Sequence, residues 1–138
     1  MEAYLALDAW PDAPAALRAL SSAGIRLAFL SNATRQILDS GLRTAGLVDL
    51  FESVISTDQI RTFKPDPRAY QLAIDVLEMR REEILFAAYA GWDAAGAKWF
   101  GYPTFWVNRL GLPEEEFGIV PDGVGRDLND LVTFVTRG

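Results

Sequence analysis

The sequence predicts a three-layer α/β/α fold built on a mainly parallel sheet. Helical and strand-like segments alternate along the chain. The strand-like segments are nearly continuous apolar runs, the mark of strands covered on both faces. The chain has 138 residues, half of them hydrophobic, the size and composition of one globular domain with a real core.

The elements follow in order. Pro11-Asp12-Ala13-Pro14 opens a helix, with Pro14 tolerated in the first turn, and Ala15, Leu17, Ala19 and Leu20 carry it to a C-cap at Gly24. Ile25 to Leu30 reads as a strand and runs into Ser31-Asn32. A second helix, Thr34 to Ala45, stops at Gly46. Val54-Ile55-Ser56 is a short strand. Lys64-Pro65-Asp66-Pro67 is a rigid turn that feeds a third helix, Arg68 to Leu77. Ile84 to Ala88 is the next strand, Ala94 to Phe100 a helix ended by Gly101, and Thr104 to Val107 a strand. Asp127 caps a last helix that reaches about Val135. No repeat, low-complexity tract or interdomain linker interrupts the pattern.

Composition narrows the chemistry. The formal net charge is −6 and no lysine or arginine cluster occurs, so neither nucleic acid nor an anionic membrane is an expected partner. Cysteine and histidine are both absent. That excludes disulfides, thiolate catalysis, zinc-thiolate or histidine metal sites and serine-histidine triads. No run has the length of a membrane span, and MEAYLALDAW lacks the basic and apolar regions of a secretory signal. A cytoplasmic protein is expected.

Three spots just past strands could carry chemistry. Ser31 and Asn32 offer a hydroxyl and an amide beside a helix N-terminus, suited to a carboxylate or a developing anion; the plainer reading is an N-cap. Lys64 stands before Pro65, which biases it towards extended backbone, so its ammonium can point into a cleft; the plainer reading is a solvated loop lysine. Asp93 lies where the third strand-to-helix loop meets its helix, and again an N-cap is the simple reading. The run Ala94-Ala95-Gly96-Ala97 lets that helix approach the sheet closely. Trp92 and Trp99 read as core or cleft-wall aromatics. Tyr70, six residues after Lys64, falls early in its helix and could reach the same strand ends.

In this order and spacing the residues resemble the haloacid dehalogenase superfamily and, within it, the type II 2-haloacid dehalogenases. FLSN is similar to the second family motif, FKPDPRAY to the third, and GWDAAGAKWFGYPTFWVNR to the fourth with its sequel. Asn108 to Pro113, and the Pro121-Asp122 lead into a last strand and helix, are similar too. The resemblance implies a Rossmann-like core and a cofactor-free, metal-free hydrolase. In such enzymes an aspartate carboxylate displaces halide from a 2-haloalkanoic acid, and water hydrolyses the aspartyl ester to a 2-hydroxy acid. Lys64 then matches the lysine that orients the nucleophile, and Asp93 the acid that holds this lysine and orders the hydrolytic water. Ser31 and Asn32 match the binders of the substrate carboxylate and halide region, and Tyr70 and Trp92 match the pocket wall. A homodimer is implied as well.

Two departures from the family pattern stand out. The nucleophile, placed by the family in a pattern like Asp-x-Tyr-Gly-Thr after a first strand, has no match: Asp8 is followed by Ala9-Trp10-Pro11 and no apolar strand precedes it. Residues 1–13 instead resemble the tail of a helical cap and its linker, with a partial core over 14–138. The expectation is a truncated chain that lacks the central first strand and most of the cap, leaves two half-sheets with bare edges, and is inactive alone. The second departure is Ala88, Tyr89 and Ala90, which stand where these dehalogenases carry Ser-Ser-Asn. Two alternatives remain open. A magnesium phosphatase of the superfamily would need a carboxylate four positions before Asp93, where Tyr89 stands. The other is a non-catalytic fragment or pseudoenzyme.

Overall fold

A computed structural model describes residues 12–113 and 120–137; the expectations for residues 1–11, including Asp8, lie outside them. The helices are α1 (Ala13–Ser22), α2 (Arg35–Ala45), α3 (Pro67–Leu77), α4 (Gly91–Phe100) and α5 (Leu128–Arg137). The strands are β1 (Ala28–Ser31), β2 (Ser53–Ser56), β3 (Phe86–Ala88), β4 (Thr104–Val107) and β5 (Gly123–Gly125).

All strand pairs are parallel. Among the described residues they form two sheets, β1–β2 and β3–β4–β5, with no ladder joining β1 to β3.

Alternation along the strands sends side chains to two helical layers. Phe105 and Val107 of β4 pack with Ala13, Ala16, Leu17 and Leu20 of α1, Leu42 of α2, and Leu128 and Leu131 of α5; Phe29 and Val54 join them from the smaller sheet. On the opposite face Trp106, Phe86 and Ala88 pack with Tyr70 of α3 and Ala94 and Ala97 of α4, while Ile55 meets Leu72 and Ala73 of α3. One strand thus feeds both layers with successive residues, the period of two that a covered parallel sheet requires. The first layer spans both sheets, so they share one core. Ala13 is fully buried in it.

Several boundaries differ from the sequence reading, each for a local reason. The first strand begins at Ala28, not Ile25, because Ile25 is spent closing α1: its N–H donates to the Leu20 carbonyl, and its side chain is exposed. Gly24 follows the cap residue Ala23 with φ +83°, where glycine is unstrained. The cap of α2 is Thr34, whose Oγ1 accepts from the Ile37 N–H at 3.3 Å, so neither Ser31 nor Asn32 is the N-cap. Asp93 is not a cap either. Helix α4 starts at Gly91 with Ala90 as its cap residue, which puts Asp93 inside the first turn. Thr104 to Val107 forms the strand as read, and Asp127 Oδ1 accepts from the Asp130 N–H at 2.9 Å at the start of α5.

Candidate active site

The carboxyl ends of parallel strands are where an open α/β sheet gathers functional groups. Here the loops after β1, β2 and β3 converge. Lys64 arrives on the turn between β2 and α3, whose Lys64–Pro65 bond is cis. Asp66 terminates the turn by accepting from the Arg68 N–H at the start of α3. From there the Lys64 ammonium donates to Asp93 Oδ2 at 2.7 Å and to the Leu30 carbonyl of β1 at 3.3 Å. The aromatic face of Phe86 lies 5.5 Å from the ammonium, a distance at which a ring attracts a cation. Lysine and aspartate side chains are each 9% exposed, so the pair is shielded from water and closely apposed.

The second oxygen of Asp93 is occupied as well. Tyr70, with no exposed surface, donates from its hydroxyl to Asp93 Oδ1 at 2.8 Å. Burial pushes the Tyr70 hydroxyl well above its ordinary ionisation range, and the adjacent Asp93 carboxylate pushes it further. It therefore stays a donor at any pH near neutrality. Tyr102 in turn donates to the Tyr70 carbonyl, and the rings of Tyr70, Phe86, Phe100 and Tyr102 pack against one another.

Asn32 fixes the backbone from which Lys64 departs. Its Oδ1 accepts from the Lys64 N–H at 2.7 Å and from Thr57 Oγ1 at 3.0 Å, and its Nδ2 donates to the Lys64 carbonyl at 3.3 Å. Ser31 is buried, its Oγ accepting from the Ala33 N–H at 3.1 Å. Its register partner Ser56 donates to the Ala33 carbonyl. The four residues Ser31, Asn32, Lys64 and Asp93 thus meet at the strand ends. Tyr70 meets them from behind, buried against Asp93. Trp92, one residue from Asp93, is 44% exposed.

Thr57 was not singled out by the sequence reading, although it is fully buried and anchors Asn32. Its signal was positional: it directly follows the strand ending at Ser56. No group of three or more carboxylates that could hold a metal ion occurs among the described residues. Tyr89, four positions before Asp93, is half-buried, and its carbonyl accepts from Trp106 Nε1 at 2.9 Å.

With this arrangement in view, the sequence profile of haloacid dehalogenase-like hydrolases matches residues 1–101. The chain belongs to that family. A (S)-2-haloacid dehalogenase of Pseudomonas sp. (strain YL) is 44% identical over 121 residues, 88% of this chain and 52% of its own length. Haloacetate dehalogenase H-2 of Moraxella sp. (strain B) is 42% identical over 121 residues, 88% of this chain and 54% of its own length. The crystal structure of the L-2-haloacid dehalogenase RSc1362 superimposes with a TM-score of 0.90 at 41% identity, covering 92% of this chain and 56% of that one. The haloacid dehalogenase-like chain therefore spans about half the length of the curated relatives it matches. The two sheets and their helices are the Rossmann-like core of this family.

Proposed function

We propose that this chain provides most of the active site of a hydrolase that converts short 2-haloalkanoic acids to 2-hydroxy acids through an aspartyl ester. The observation that carries the reading is the shielded Lys64–Asp93 pair at the strand ends. The names of the relatives supply the substrate class.

In this reading an aspartate on a strand seated between β1 and β3 brings its carboxylate to the Lys64 ammonium. One carboxylate oxygen bonds to C2 of the haloacid, and the carbon–halogen bond breaks with its electron pair leaving on the halide. Lys64 orients the attacking oxygen and balances its charge. In this reading Ser31 and Asn32 bind the substrate carboxylate and halide region, and Trp92 forms part of the pocket wall. Water then attacks the carbonyl carbon of the ester, one proton passing to a base; the bond from that carbon to the oxygen on C2 breaks, this oxygen takes up a proton, and the 2-hydroxy acid departs as the aspartate carboxylate is restored. Asp93 helps order that water while Tyr70 holds Asp93. Among the described residues, the carboxylate paired with Lys64 is that of Asp93, whose two oxygens are held by Lys64 and Tyr70. The nucleophile is accordingly assigned to another segment, and residues 1–13 to the end of a cap and its linker.

The reading involves no metal, because Tyr89 stands where the phosphatase alternative needs a hard oxygen ligand. It carries with it a homodimer, from the family resemblance, and the cytoplasmic location expected from the sequence; among the described residues no helix is long and apolar enough to cross a membrane.

The test is halide release from 2-chloropropionate by the 138-residue chain, alone and fused at its amino terminus to a strand ending in Asp-x-Tyr-Gly-Thr. Release by the fusion and none by the chain alone is expected. Equal release by both refutes the external nucleophile, and release by neither refutes the substrate class.

A further inference from the structure

Gly96 lies in the middle of α4, where a helix gains nothing from glycine and alanine is the better former. Its position explains the choice. A Cβ built there would stand 2.6 Å from the Tyr70 hydroxyl oxygen, 3.3 Å from its Cζ and 3.0 Å from Pro65 Cβ. Ala94 and Ala97 of this run of small residues pack with Phe86, Ala88 and Trp106 of the sheet, whereas Gly96 faces α3 and the Lys64 turn.

Neither side of that contact can give way easily. The Tyr70 ring has no exposed surface and is enclosed by Phe86, Phe100 and Tyr102 at centroid distances of 5.5, 5.8 and 6.3 Å. Helix α4 is anchored by Ala94 and Ala97, 2% and 0% exposed, which pack with Phe86, Ala88 and Trp106. A side chain at 96 therefore forces the Tyr70 ring or α4 to shift, and either shift moves the hydroxyl that Asp93 accepts from.

We propose that Gly96 is a positioning residue for the Lys64–Asp93 pair: its missing side chain leaves the space in which the Tyr70 hydroxyl reaches Asp93 and Pro65 lies against α4. This rests on the reading of Lys64 and Asp93 given above only for its functional meaning; the steric claim stands on its own. Any side chain at 96 pushes the Tyr70 hydroxyl off Asp93 Oδ1, and the carboxylate, freed on one side, no longer holds the ammonium in place.

The chain contains two lysines, Lys64 and Lys98, which makes a clean probe. Lys98 is also on α4 and is held by both oxygens of Asp122 at 2.9 Å. Trace acylation with an amine reagent, read by peptide mass spectrometry without haloacid, compares the wild-type chain with Gly96→Ala, Tyr70→Phe and the double variant. Gly96→Ala is expected to raise labelling of Lys64 about tenfold, the scale of one lost hydrogen bond to a charged group, with Lys98 unchanged. In the Tyr70→Phe background the glycine substitution is expected to add nothing further, since the colliding oxygen is gone.

Unchanged Lys64 labelling in Gly96→Ala overturns the proposal. So does an equal rise at both lysines, which reports a loosened helix, or an undiminished effect of Gly96→Ala in the Tyr70→Phe background. If Gly96→Ala alone does not fold, the double variant decides: folding with the labelling of Tyr70→Phe upholds the proposal, and failure to fold overturns it. Because no haloacid is present, the outcome is independent of whether the chain dehalogenates.

Discussion

Lys64 Nζ and Asp93 Oδ2 stand 2.7 Å apart, brought from positions 29 residues distant in the chain. They are held there by contacts that come from neither residue's own loop alone. Asn32 grips the Lys64 backbone from the end of β1, and Tyr70 grips Asp93 from α3. A shielded ion pair adds little net stability, but removal of one partner leaves the other charged and desolvated. Asp93→Ala is expected to cost about 3–5 kcal/mol in urea unfolding. Adding Lys64→Met to that variant recovers part of the loss by removing the stranded charge. A double variant no more stable than Asp93→Ala contradicts this account of the pair.

The buried tyrosines give the fold an alkaline limit. Tyr70 is held above its ordinary value of 10.0 by burial and then by Asp93. Tyr102 is pushed up to about 12 by burial, with Arg81 opposing and Asp75 assisting. Both hydroxyls keep their protons in the folded chain while the unfolded chain releases them. Their contribution is therefore complete below pH 10.0 and is lost as pH rises through the folded values, for Tyr102 at about 12. Unfolding free energy measured across this range should fall less steeply in Tyr102→Phe than in the wild-type chain. Parallel curves contradict the assignment.

Asp12 should give the opposite signature. Its Oδ2 accepts from Arg109 Nη2 at 2.8 Å and from the Leu128 N–H at 2.9 Å, so one carboxylate ties α1 to the start of α5 and the loop after β4. Burial pushes this carboxyl up, but the Arg109 guanidinium and the Leu128 N–H outweigh it and hold it below the ordinary 3.8. A depressed carboxylate stabilises above its unfolded value and loses that contribution as pH falls through the folded one. Asp12→Ala is expected to cost about 1–3 kcal/mol at pH 7 in urea unfolding, with the difference from wild type narrowing below pH 3.8. A constant difference across that range contradicts the role.

Strand identity, helix order and the convergence of Ser31, Asn32, Lys64 and Asp93 were legible in the sequence because they depend on local signals. Apolar runs mark strands, Gly46 and Gly101 mark helix ends, and positions just past strands mark the functional edge. What was not legible depends on contacts between distant segments. Asp12 reads as part of a helix start, yet its side chain serves another helix 116 positions away. Asn32 reads as a cap or an anion binder, yet it carries three hydrogen bonds to Lys64 and Thr57. Gly96 reads as one of a run of small residues that lets its helix approach the sheet, and only the placement of α3 shows that it faces Tyr70. Asp93 was expected at the helix cap because the sequence gives no sign that Ala90, which has no capping side chain, precedes the first turn.

The central claim is that the Lys64 ammonium orients an attacking carboxylate. The most direct measurement is steady-state halide release from 2-chloropropionate by the nucleophile-bearing fusion with Lys64 intact and with Lys64→Ala. Loss of fixed electrostatic stabilisation is expected to lower kcat by about 10²–10³, with KM little changed. A Lys64→Ala fusion that keeps the parent kcat would contradict the account.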